Sequence, residues 1–267
     1  MASDIIILVS YAGAALAVLL ACTVLYMKGA KTAWLLFAFG MVLVAADAVL
    51  GACVLDAVTV SDVEFYQRLK YLLATLLPGA WVAFSASYSR ADGKESIKRY
   101  RWIIATLVLV SAGAVLGFPN ELLMAVLSQQ GGVVIALGWA GKILNLCVLL
   151  GTILVLVNFE RTFRSATGTM RWRIKYLVFG VGIIFGAKVY VSSQALLYST
   201  IQILTIQINS CAILLGGCLI GYSFFRTRLA ESEIYPSQKV LQQSITIIIV
   251  GAYLVMVGGL AKLVVKV

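Results

Sequence analysis

The stretch Phe159–Gly180, FERTFRSATGTMRWRIKYLVFG, sets Arg161, Arg164, Arg171, Arg173 and Lys175 within fifteen positions of an otherwise apolar chain. In a soluble protein such a cluster is a phosphate or nucleic-acid patch; in a membrane protein it marks the cytoplasmic face. Composition decides between them. Hydrophobic residues fill 62% of the 267 positions, charged residues only 12%, and the mean hydropathy is +1.01. A soluble domain carries about 25% charged and about 45–50% apolar residues, so this excess is too large for one globular core and fits a polytopic helical membrane protein. The net charge of +10 then belongs to cytoplasmic loops. Phe163 and Trp172, interleaved with the arginines, suit a lipid interface better than base stacking, and no nucleic-acid partner is expected.

Working outward, a hydrocarbon core of ~30 Å needs roughly 20 apolar helical residues. By that ruler the chain is a single all-α integral membrane domain over 1–267, with about eight spans at 5–27, 33–54, 67–88, 102–118, 133–157, 174–198, 202–225 and 241–264. The segment Glu121 to Ser128 reads as a short helix at the surface, and Pro78 as a kink in the third span. Trp81, Tyr88, Trp102, Trp139 and Trp172 supply interfacial anchors. Gly182 with Gly186, and Gly217 with Gly221, form small-xxx-small pairs for close helix approach, within a subunit or between two.

One alternating set of loops holds Lys28, Lys31, Arg90, Lys94, Lys98, Arg99, Arg101, the five basic residues of the opening stretch, Arg226, Arg228 and Lys239. These fifteen of the 21 Lys and Arg residues place that set in the cytoplasm and the N-terminus outside. Arg68 and Lys70 fall at one mouth of the opposite side. Eight spans from an outside start leave the C-terminus outside too, so the reading expects the front part of a longer protein, cut before a ninth span. The setting is a multi-pass membrane protein, with the lipid bilayer as its first partner.

Ionisable groups at membrane depth are costly and mark function or pairing. Asp47 lies 14 residues past Ala33 and Lys188 14 past Ile174, each roughly 21 Å from the cytoplasmic mouth at 1.5 Å per residue. Lys142 lies about ten residues into the fifth span from outside. One acid and two bases at one level predict an ion-paired polar centre, which Asn145, Tyr190, Gln194 and Asn209 extend. Tyr190 and Gln194 share a helix face, as do Lys188 and Ser192. Three readings stand open: a structural ion pair locking helices, an outward-facing pocket for an anionic or lipid-linked ligand, and a proton or ion path.

The five cysteines lie in apolar runs without CxxC spacing, there is no histidine, and neither HExxH nor a nucleophile with a base occurs. No catalytic residue, metal site or cofactor is expected in these residues. The stretch LLPGAWVAFSASYSR (76–90) resembles the Pro-x-x-Trp-x-x-Phe-Ser-x-x-Tyr-x-Arg ending common in multi-span N-terminal regions of bacterial sensor kinases. More specifically, FERTFRSATGTMRWRIKYLVFGVGIIFGAKVYVSSQALLYS (159–199) and IYPSQKVLQQSITIIIVGAYLVMVGGLAK (234–262) resemble PrsK-type histidine kinases, which accompany exosortase/PEP-CTERM and exopolysaccharide systems. The similarity covers roughly 75–264, with Lys239 where that family's linker has arginine.

That resemblance implies a membrane sensory and anchoring module of a two-component sensor histidine kinase, acting as a homodimer. The kinase domain lies beyond these residues and signals to a cytoplasmic response regulator. It also implies the bacterial cytoplasmic membrane as the setting. Membrane depth, and not the resemblance, makes Asp47, Lys142, Asn145, Lys188, Tyr190, Gln194 and Asn209 the candidate sensing residues. The competing classes are a stand-alone transporter or channel-like protein and a structural subunit of a larger membrane assembly.

Overall fold

In hydrocarbon only a helix or a closed barrel satisfies every peptide group, so long apolar runs fold as helices. A computed structural model describes residues 2–28, 32–88, 93–129, 132–166 and 168–232. Its helices are α1 (Ala2–Lys28), α2 (Thr32–Asp56), α3 (Val60–Ala74), α4 (Leu77–Ser87), α5 (Gly93–Gly117), α6 (Trp139–Ser165), α7 (Gly168–Tyr198) and α8 (Ile203–Ser232). Three strands, β1 (Leu123–Gln129), β2 (Gly132–Leu137) and β3 (Thr200–Gln202), complete the order. Among the described residues seven segments are long and apolar enough to cross a membrane, with α3 and α4 together forming the third, Val60–Ser87. The all-α membrane bundle is therefore present. The expected eighth span, 241–264, lies outside the described residues. Residues Met1–Phe224 form one compact unit, which holds α1 to α7, the three strands and most of α8.

Three expected boundaries shift, each for a physical reason. Glu121–Ser128 is not a helix: Pro119–Glu121 make one 3-10 turn, and Leu123 then opens a strand. Here LMAVLSQ and GVVIAL are short apolar runs around Gly131–Gly132, a hairpin pattern rather than a helical one. The fifth span therefore starts at Trp139 instead of 133, and runs on through the arginines to Ser165. The third begins earlier, at Val60, because Thr59 caps α3: its side-chain oxygen accepts from Asp62 N at 3.2 Å. Such caps serve polar first turns that a hydropathy ruler passes over.

The hairpin β1–β2 pairs antiparallel with β3, Ile135 opposite Ile201, so the α5–α6 and α7–α8 connections are laced together. Counting crossings from α1, this sheet and the α2–α3 corner share the end where the chain starts. Ser199, leading from α7 into β3, has φ +53°, a rare conformation for a side chain bearing a Cβ. Its carbonyl accepts from Leu137 N at 2.8 Å, which ties the corner to β2.

The expected break at Pro78 is present. Two 3-10 turns end α3 at Thr75 and Leu76, Pro78 sits in the first turn of α4, and its ring packs against Gly151 of α6. Ser111 of α5 brings its hydroxyl to 3.3 Å from the Thr75 carbonyl at the break, although its closest acceptor is Leu107 O of its own helix at 2.6 Å.

The end away from the sheet is held by aromatic packing. Phe37 meets Phe84 at 5.2 Å and Trp81 meets Phe185 at 4.8 Å between ring centroids, both edge-on. Such pairs add about 0.5–1.5 kcal/mol each beyond their burial. Trp81 is fully buried in this cluster, so it is a core residue and not an interfacial anchor; Trp102, Trp139 and Trp172 are exposed, the last two near helix starts. Asn158 bridges α4 and α5, donating to Ser85 Oγ and accepting from Tyr100 OH, both at 3.1 Å.

The glycine pairs divide. Gly217 and Gly221 face Leu16 and Leu20 of α1, whereas Gly182 and Gly186 have nothing near them among the described residues. The tight α7–α8 crossing lies instead at Gly180 and Gly216, where a Cβ on Gly216 would stand 2.6 Å from the Gly180 oxygen. The basic cluster straddles the α6–α7 joint. Arg164 pairs with Glu160 at 2.6 Å, Arg171 lies over Phe163 at 4.9 Å and Lys175 over Trp172 at 5.2 Å.

Candidate functional site

Depth along each helix determines which polar groups meet. Asp47 is nine residues before the end of α2, Lys188 ten before the end of α7, and Lys70 ten after the start of α3. At 1.5 Å per residue all three lie about 14–15 Å below the sheet end. They converge: Lys188 Nζ donates to Asp47 Oδ2 in a short direct ion pair, and Lys70 Nζ stands 3.8 Å from Oδ1. Asn209 of α8 donates its amide to Asp47 Oδ2 at 3.1 Å. One carboxylate thus ties four helices. Gly51, one turn beyond Asp47, lies beside the second lysine: a Cβ there would be in ordinary contact with Lys70 Nζ at 3.5 Å and tight against an Ile206 methyl at 3.2 Å.

Beside these groups is a cavity of about 60 Å³, lined also by Gln67, Tyr71, Asn145, Ser192 and Ile201. A void of this size with several polar walls holds ordered water or a small ligand group. Its walls are buried: Asp47 is 4% exposed, Gln67 2%, Tyr71 5% and Asn209 4%. Among the described residues, Asn209 Oδ1 lacks a hydrogen-bond partner, and the Tyr71 hydroxyl stands close to the Gln67 and Asn145 side chains without a well-aligned hydrogen bond to either. Asn145 spends its amide on the Gly141 carbonyl of its own helix at 2.9 Å. Buried polar atoms are almost always bonded, so an unpartnered amide oxygen and a loosely held hydroxyl around one void point to something that occupies it.

The cluster's charges do not cancel. Two lysines, with side chains 12% and 13% exposed, share one carboxylate, leaving a formal +1 in a mostly buried setting. Such a formal surplus favours a negatively charged neighbour. Among the described residues around it, none joins a nucleophile to a base.

The expected residues separate cleanly. Asp47, Asn145, Lys188 and Asn209 meet at the cavity. Lys142 does not: α6 begins at Trp139, so this lysine is one turn into its helix, near the sheet end, and exposed. Tyr190 is 47% exposed, and Gln194, four residues on, shares its face away from the cavity. Sequence reading missed Lys70, Gln67 and Tyr71. Their signal is the spacing Gln67, Lys70, Tyr71, Ala74, one polar-lined stripe of α3, which all line the void. Arg161, Arg164, Arg171, Arg173 and Lys175 lie on α6 and α7 at the end opposite the cavity.

Comparison with protein-family models, with curated proteins and with solved structures gives no match for this chain.

Proposed function

We propose that this chain is the membrane sensory module of a bacterial two-component sensor histidine kinase of the PrsK type. Its N-terminus and sheet end are outside, the basic α6–α7 joint faces the cytoplasm, and the kinase domain lies beyond Val267. The observation that carries the reading is the charge cluster at Asp47, where α2, α3, α7 and α8 are bound at one level beside a small polar void. A cue changes an equilibrium only by binding two packings unequally. A site contacting four helices at once has that leverage, because small relative shifts of those helices change its geometry.

The decisive experiment has two arms. The reading frame past Val267 is expected to encode a further span and then dimerisation and ATP-binding domains; a stop codon there overturns the proposal. In that longer protein, Asp47→Ala and Lys188→Ala are expected to change signal-dependent autophosphorylation in membranes at matched expression. Unchanged response and stability in both variants removes the cluster from signalling.

A further inference from the structure

We infer that the cavity beside Asp47 is a receptor site for one small monoanion that carries its own hydroxyl, a 2-hydroxycarboxylate or a protonated phosphate group. This specifies the cue of the sensory reading, and rests on that reading for its purpose but not for its chemistry.

The charge is the first argument. Asp47 neutralises one of Lys70 and Lys188, and Lys188 holds it directly. Lys70 is left at 3.8 Å, longer than a hydrogen bond, with its protons available to a second acceptor. Leaving a charge buried and unmatched is expensive, and one added negative charge brings the cluster to two cations and two anions. A dianion would overshoot.

The orphaned atoms supply the second argument and narrow the ligand further. The Tyr71 hydroxyl offers a donor, as an anion requires. Gln67 Oε1 and Asn209 Oδ1 are acceptors. The Asn209 oxygen is fixed in that sense because its own amide nitrogen is committed to Asp47. Gln67 Oε1 has the Tyr71 hydroxyl close by, but the Asn209 oxygen has no donor, and a bare carboxylate cannot give it a proton. A ligand bearing O–H beside its negative oxygens satisfies both sets. Size agrees: about 60 Å³ accommodates a glycolate-sized or phosphate-sized group.

Two sources share this chemistry, a free metabolite and the phosphate with glycerol hydroxyls of an anionic lipid headgroup. The test uses the purified 1–267 chain, with thermal unfolding followed during titration at constant ionic strength. Glycolate is expected to stabilise it saturably, at about ten-fold lower concentration than acetate, the ratio for losing one hydrogen bond to a buried group. Lys70→Met is expected to abolish the response, and Lys142→Met, an exposed lysine outside the cavity, to leave it intact. Should Lys70→Met not fold, Tyr71→Phe serves instead and weakens binding by about ten-fold. Equal responses to glycolate, acetate, phosphate and chloride, or the same response in the cavity variants, overturn the inference.

Repeating the titration in phosphatidylcholine nanodiscs with and without phosphatidylglycerol identifies the source. Competition by phosphatidylglycerol assigns the site to a headgroup, and indifference to it assigns a free anion. The two proposals fail separately. Glycolate binding with no effect on kinase output in the longer protein retires the sensory role and keeps the site. Altered output in Lys70→Met without anion binding in any preparation does the reverse.

Discussion

Replacing Lys70 with methionine is expected to leave the protein as stable as before, or more so, although it deletes a buried ion-pair partner. At an effective dielectric of about 20, the 3.8 Å separation from Asp47 gives an attraction of ~4 kcal/mol. Lys188 holds the other carboxylate oxygen, and the repulsion between the two ammonium groups offsets part of that attraction. What remains is smaller than the several kcal/mol needed to desolvate an ammonium. Methionine fills much the same volume at no such cost.

Lys188→Met differs, because it removes the hydrogen-bonded partner and leaves Asp47 with Lys70 at 3.8 Å and the Asn209 amide at 3.1 Å. The expected loss is about 2 kcal/mol, that of one charge-assisted hydrogen bond. Asp47→Asn strands both lysines and is expected to cost about 3–5 kcal/mol. Thermal unfolding of the three variants in one detergent, followed by tryptophan fluorescence, gives the order. A Lys70→Met protein that melts below Lys188→Met would refute the reasoning, since Lys70 would then be a structural tie rather than a cation held at a cost.

Two further outcomes follow from the fold. Gly216→Val is expected to destabilise the bundle by at least ~1–3 kcal/mol through overpacking, because its Cβ would meet Ile184 Cγ1 at 2.5 Å and the Gly180 oxygen at 2.6 Å. Gly186→Val, which meets nothing among the described residues, is expected to be silent, and the yield of monodisperse protein on size exclusion compares them. In a cysteine-free background, a membrane-impermeant maleimide is expected to label Ser61→Cys in intact cells and Ser165→Cys only after lysis; the opposite pattern reverses the proposed orientation.

The bundle was legible in the sequence because twenty-residue apolar runs admit few structures in hydrocarbon. The pairing of Asp47 with Lys188 was legible too, since both helices were placed with correct ends and depth follows from counting. The second lysine was not, and the cause is specific. Opening the fifth span at 133 counted β2 as helix and moved Lys142 six residues too deep, into the polar level. Opening the third at 67 discarded the capped, polar first turns of α3 and moved Lys70 seven residues too shallow, to the mouth. Two boundary shifts of opposite sign exchanged one lysine for another. Hydropathy alone could not prevent this: β2 is as apolar as a span, and the start of α3 is as polar as a loop.

The polar and aromatic regions differ in how much change they can absorb, and α7 is where they come closest. Lys188 is three residues from Phe185, which is fully buried and packs on Trp81 at 4.8 Å. Trp81 in turn meets Phe37 of α2 at 5.9 Å, and α2 carries Asp47. The ion pair and the aromatic stack therefore join the same two helices, one turn apart on α7 and ten residues apart on α2. The cavity end has free volume and unmatched formal charge, whereas the aromatic end is packed by edge-on rings. On the sensory reading, a shift of α7 against α2 at the cavity is not taken up locally: the rings one turn below either follow or exchange packing partners. Contiguity alone does not establish coupling. It does say where coupling has to pass, because Phe185 is the buried group nearest Lys188 that the closed end also holds.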